Sequence, residues 1–276
     1  MRRDPDAFIA AFAMDNDRAE IVVEGPTDVR LLRWLLGQTD VVLTDVSFIN
    51  TEVDQGGNRQ RVLWLSRHAT AKGVPITQVR FLIDADFDHL EGVVHQLPVV
   101  HTDVRATECY WLTEDCIRKL FHLGLLRPEI DAEVLLEQLD AALRTLAALR
   151  DVDRAEDLGL AFQKTKLRSF AKWEVPSLDL RFEPYVRALL QSAGLPASDA
   201  AGIMSKTQER RDKVQAMGLP LDKVAHGKDF FHLVSEAVQA CGHPRGNAPE
   251  IIRASAESTS FDSYACVTEI RRFAAH

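Results

Sequence analysis

The chain has 276 residues, 46% of them hydrophobic, with a formal net charge of −8. That is enough apolar material for one or two packed domains, while the acidic balance argues against non-specific binding to nucleic acid, which needs Lys and Arg on phosphates. No apolar run has the length of a membrane span, the opening MRRDPDAFIAAFAMDND has acids and a proline where a secretory signal is apolar, and Cys109, Cys116, Cys241 and Cys266 form no CxxC pair, so the expectation is a reduced, cytoplasmic protein without structural zinc.

In chain order, RDPDAFIAAFAMDN reads as a short amphipathic helix and AEIVVEG as a buried strand stopped by Gly25. Pro26 suits the first turn of the next helix, which runs to a C-cap at Gly37. DVVLTDVSFIN predicts a second strand region. TEVDQGGNR predicts a loop, in which Gly56, Gly57 and Asn58 can take positive φ before the helix RQRVLWLSRHATAKG. VRFLIDADFD predicts a third strand ending in acids, LPVVHTD a fourth, and ATECYWLTEDCIRKLF the helix after it. This alternation implies an α/β fold, a mostly parallel sheet flanked by helices. From residue 126 the pattern turns helical, through DAEVLLEQLDAALRTLAALRDVDRAE, PYVRALLQSAG and KDFFHLVSEAVQACG. The expected organisation is an α/β core over 1–125 and a C-terminal helical subdomain over 126–276.

Acids gather at the carboxyl ends of the expected strands, where open parallel sheets bind ligands. Glu24 closes the first, with Asp28 one helical turn on; Asp84, Asp86 and Asp88 close the third; Glu108 follows the fourth. Alternation along an extended chain puts Asp84 and Asp86 on one side. Carboxylates converging on one crevice repel, and hard divalent cations with oxygen ligands are the natural compensation. A lone acid after a strand is commonly a helix cap, an alternative that stays open for Asp28. Asp84 follows so apolar a run that an unpartnered carboxylate there is costly. Asp88 and Asp103 read as turn residues, Glu114 and Asp115 as a solvated helix face. An EF-hand reading of DADFD fails, because His89 and His95 stand where glycine and the last acid are needed. Asp88 also occupies the place of the hydroxyl residue that an aspartyl phosphotransferase motif wants, and no Walker A or GxGxxG is present.

EGPTD on a strand-to-helix turn, followed about 60 residues later by a strand ending in LIDADFD, resembles the Toprim domain, the metal-binding catalytic domain of topoisomerases, primases and a class of nucleases. The match spans roughly residues 20 to 115. DQGGNR, HTDVRATECYWL and GKDFF add a resemblance to the stand-alone Toprim effectors of bacterial anti-phage defence, including that of the PARIS system, and to the Toprim portion of OLD-family nucleases. The resemblance implies a Toprim-type sheet and a metal-dependent endonuclease of the cytoplasm. It implies two Mg²⁺ or Mn²⁺ ions, about 4 Å apart on a scissile phosphate. Glu24, Asp84 and Asp86 would hold one; Asp28 and Glu108 would help hold the other. Glu24 would also orient or deprotonate water, and Lys228 would neutralise developing charge, though Lys228 reads equally as an exposed lysine at a helix start. By analogy it implies a toxic effector causing abortive infection, held inactive by a separate ABC/SMC-like ATPase partner and active as a homodimer. Its substrate is RNA, tRNA included, on the PARIS side and DNA on the OLD side. Substrate grip is expected from Lys164, Lys166, Arg168 and Lys172, with Trp173 stacking on a base, and from Lys206, Arg210, Arg211 and Lys213; each of these runs reads equally as a solvated helix face. The competing readings are a non-catalytic Toprim-like regulatory or interaction subunit, and nucleotidyl transfer of the primase kind.

Overall fold

The computed structural model describes residues 2–53 and 57–275. The chain divides into two compact units, Met1–Thr107 with Ser258–His276, and Glu108–Glu257. The divide falls at Thr107 instead of near residue 125, and the C-terminal segment belongs to the first unit.

The first unit contains α1 (Pro5–Met14), β1 (Glu20–Val23), α2 (Pro26–Leu36), β2 (Val42–Asp45), α3 (Gly57–Ala71), β3 (Val79–Ile83), the single turn α4 (Asp88–Glu91) and β4 (Val99–His101). The four strands form one all-parallel sheet in the order β2-β1-β3-β4, the α/β architecture that the alternating pattern predicts. Both central strands are buried along their whole length, so their apolar residues face both sides, and each carries one buried charge, Glu20 in β1 and Arg80 in β3. Val22, Val79, Phe81 and Ile83 pack with Phe8 and Phe12 of α1 and Val62, Leu65 and Ala69 of α3. Glu20 is tolerated inside β1 because Arg18 donates to it at 2.5 and 2.8 Å and the Thr44 hydroxyl donates at 2.5 Å. Gly37 ends α2 with φ +64 and Gly57 opens α3 with φ +71; the rest of the expected loop turn, Asp54, Gln55 and Gly56, lies outside the described residues.

The second unit holds α5 (Glu114–Lys119), the long α6 (Ala132–Glu156), a hairpin of β5 (Ala171–Glu174) and β6 (Ser177–Leu180), then α7 (Phe182–Ser192), α8 (Ala200–Ala216), α9 (Leu221–Val224), α10 (Gly227–Ala240) and α11 (Ala248–Ser255). The expected helix over ATECYWLTEDCIRKLF is instead a 3₁₀ turn at Thr107–Trp111, then α5 and a π turn at Leu120–Gly124. Thr113 interrupts it: its extended backbone and its hydroxyl, accepting from the Cys116 N–H, start α5 anew.

The chain then returns to the first unit as α12 (Ala265–Ala274). Two contacts fix it there. Asp103, in the bend after β4, accepts from the Ala265 and Cys266 N–H groups at 2.9 and 2.8 Å and so caps a helix distant in sequence. Buried Arg80 of β3 pairs with Glu269 at 2.8 Å and lies over the Phe273 ring. Among the described residues no helix is long and apolar enough to cross a membrane.

Candidate functional site

The sheet order places a switch point between β1 and β3. The chain leaves β1 for β2 on one side and later leaves β3 for β4 on the other. Connections diverge at such a point and open a crevice beyond the strand ends. Glu24 is the residue after β1, and Asp84 the residue after β3.

The two are joined directly: the Asp84 N–H donates to Glu24 Oε1 at 2.9 Å. Asp28 sits in the first turn of α2, where Gly25 is the N-cap. Its Oδ2 accepts from the Gly25 N–H at 3.0 Å, half of a capping box. Its Oδ1 accepts from the Thr107 hydroxyl at 2.9 Å. The Thr107 N–H donates to Asp84 Oδ1 at 2.9 Å. Thr107 therefore ties the acid of α2 to the acid after β3. Asp28 is both a cap and a member of the carboxylate group, so the alternatives for it do not exclude each other.

Asp86 departs from the expected extended alternation. Its φ is +48, and its N–H donates to the Arg105 carbonyl at 2.8 Å. The chain turns out of the strand direction there, into a region that Asp adopts more readily than most side chains. Asp86 still acts on Glu24 through its charge. Asp88 does not continue the series. It begins α4 and accepts from Arg59 at 2.5 Å, with His95 Nε2 at 2.8 Å from the same oxygen.

Two residues of α3 that sequence reasoning did not single out support the site. The Asn58 amide donates to the Glu24 carbonyl at 2.7 Å. Arg59 Nε donates to the Asp84 carbonyl at 3.2 Å, and the same guanidinium lies 3.7 Å from Asp86. Both belong to the GGNR segment, so the signal was present as a loop running into a helix. Thr107 carried no comparable signal.

Burial pushes the Glu24 carboxyl up to about 7, and the nearby Asp86 and Asp28 carboxylates push the same way; the Asp84 N–H and Arg59 oppose them. The donor set is therefore hard oxygen ligands short of positive charge, which suits a divalent cation of the Mg²⁺ or Mn²⁺ type. Among the described residues, however, no three His, Cys, Asp or Glu side chains stand in a ready-made metal-ligand group.

Glu108 and Lys228 lie in the second unit. Glu108 belongs to the 3₁₀ turn and not to an α-helix. A Cβ built on Gly227 would stand 2.6 Å from Glu108 Cβ and 2.7 Å from its Oε2, so only glycine lets α10 begin against this acid. Lys228 follows at the second position of α10 with its side chain exposed. Asp229, next in line, is buried and held by Arg150 at 2.7 and 2.8 Å. Trp173 does not offer a stacking face. It is 6% exposed, on the inward side of β5, and its indole N–H donates to the Leu233 carbonyl. The two basic runs are partly neutralised, since Lys172, Lys206 and Arg210 are paired with Glu174, Glu156 and Asp151. No family model and no curated protein matches the chain.

Proposed function

We propose that the chain is a metal-dependent endonuclease of the Toprim type, with its catalytic carboxylates in the first unit. One observation carries this reading: Glu24 and Asp28 of the turn after β1 and Asp84 after β3 are linked by hydrogen bonds, directly and through Thr107, at the sheet's switch point, and Glu24 is pushed up to about 7. Glu24, Asp84 and Asp86 would hold one divalent cation, and Asp28 would help hold a second. Bound there, the ions would neutralise a scissile phosphate and acidify an attacking water.

The chain's own residues do the rest. Glu24, with Oε1 fixed by the Asp84 N–H, would orient the attacking water or take its proton. Thr107 holds Asp28 and Asp84 in place. Arg59 fixes the turn after β3 through the Asp84 carbonyl. Glu108 as a further ligand and Lys228 as a charge-neutralising group follow from the resemblance, as do the ATPase partner, the active homodimer, the role in anti-phage defence and the cytoplasmic location.

Glu24→Ala should abolish cleavage of RNA or DNA in Mg²⁺ or Mn²⁺ with circular dichroism unchanged. End-sequencing of nucleic acid from cells expressing wild type or Glu24→Ala tests this and names the substrate. Identical ends and equal toxicity from both would leave the non-catalytic interaction subunit as the reading.

A further inference from the structure

We propose that the groove between α2 and β2 binds the phosphodiester backbone of a single nucleic-acid strand leading into the carboxylate site. This rests on the nuclease reading and says where its substrate lies.

The groove is in the first unit and has a volume of about 610 Å³. One wall is a stripe of α2, Pro26, Val29, Arg30 and Arg33, at the i, i+3, i+4, i+7 spacing of a single helix face. The other wall is Leu43 to Asp45 of β2 with Phe48 and Ile49 after it, and Arg3 completes the lining. Asp45 of one wall is in register with Val23, the residue before Glu24, and Pro26 of the other is two residues after Glu24, so the groove lies at the same carboxyl edge of the sheet as the proposed catalytic group.

Charge is the second observation. The chain carries a net −8, yet this groove has three arginines against one acid, Asp45, which is 6% exposed and accepts from the Ser47 N–H. Arg30 and Arg33 are exposed, and among the described residues neither forms an ion pair or a side-chain hydrogen bond. The Arg3 guanidinium donates to the neutral Ala7 carbonyl and lies over the Phe8 ring. These cations are left to an outside anion. Phe48, 64% exposed at the rim, supplies a face on which a base can stack, which favours a single strand over a duplex. A phosphodiester backbone fits cations spaced along a helix. A membrane surface would want a broad convex patch.

The test uses the full chain carrying Glu24→Gln, to suppress cleavage, with fluorescein-labelled 12-nucleotide single strands of RNA and of DNA in anisotropy titrations. Arg30→Ala with Arg33→Ala should weaken binding at least tenfold. It should also flatten the slope of log affinity against log salt by about 1.4, the share of two phosphate contacts on a single strand. Lys at both positions should restore the slope, and Phe48→Ala should weaken binding several-fold without changing it. Unchanged affinity and slope in the double variant would overturn the proposal, as would polyglutamate displacing the strand at equal charge concentration. Cleavage by chains with Glu24 intact is measured separately. A chain that binds through the arginines but never cleaves refutes the nuclease reading alone, and one that cleaves with wild-type KM after loss of both arginines refutes the groove alone.

Discussion

Glu24 is asked to do two opposed things. Its backbone continues a buried strand, and its side chain faces two other acids. The protonated form relieves the conflict when no cation is present. It keeps its proton to about pH 7 in the folded chain and, at its ordinary value, only to about 4.5 when unfolded. Folding thus takes up a proton between those values, so the stability Glu24 allows at low pH is lost as pH rises from about 4.5 to about 7, and it stays lost above. Glu24→Gln keeps the shape and cannot ionise. Without divalent ions, its unfolding free energy should match that of wild type near pH 4 and exceed it at pH 8, by an amount on the order of 2 kcal/mol. Parallel curves of stability against pH for the two proteins would mean that burial and the neighbouring acids do not raise the Glu24 carboxyl. The adjoining Thr107 shows where reading the chain fell short. Its N–H and hydroxyl bind acids 23 and 79 residues away, and nothing in its own neighbourhood of the sequence marks a threonine for that role.

At the scale of elements, legibility followed periodicity. β1 and β3 were readable because Ile21 to Val23 and Phe81 to Ile83 are consecutive apolar residues, as buried parallel strands allow, and α2 because Pro26 and Gly37 punctuate it. The extended continuation through Asp86 failed because a strand pattern does not reveal where φ turns positive. The hairpin is not legible in the sequence although Ala171 and Trp173 alternate with Lys172 and Glu174 in burial, because a period of two over four residues is too short to stand out from a basic run. Gly227 shows an element end dictated by a distant residue. Gly227→Ala places a methyl in contact with Glu108 Cβ at 2.6 Å, a clash that costs about 1–3 kcal/mol. The melting temperature should fall by several degrees. Adding Glu108→Gly should recover most of the loss, giving a double-mutant coupling well outside additivity. Additive losses would show that α10 relaxes away from the clash by itself.

For the molecule as a whole, the division into two units puts four of the six proposed site residues, Glu24, Asp28, Asp84 and Asp86, in one unit and Glu108 and Lys228 in the other. A cation held by the first four stabilises the folded chain by mass action, about 2.7 kcal/mol at a hundredfold excess over its Kd. Overall melting reports this poorly, because a chain of two units need not unfold in one step. Hydrogen exchange with residue resolution reports it well, since protection rises where opening is opposed. Mg²⁺ or Mn²⁺ should slow exchange at Gly25, Asp84, Asp86 and Thr107, whose N–H groups line or brace the carboxylates. The α3–β3 core should gain only what global stabilisation gives. In Glu24→Gln the local slowing should largely vanish. If Glu108 also takes up the ion, the amides of the 3₁₀ turn after Thr107 and those at the start of α10 should slow together with the first unit. Slowing confined to the first unit would assign the cation to its four acids alone, and no slowing anywhere would remove the metal centre from this fold.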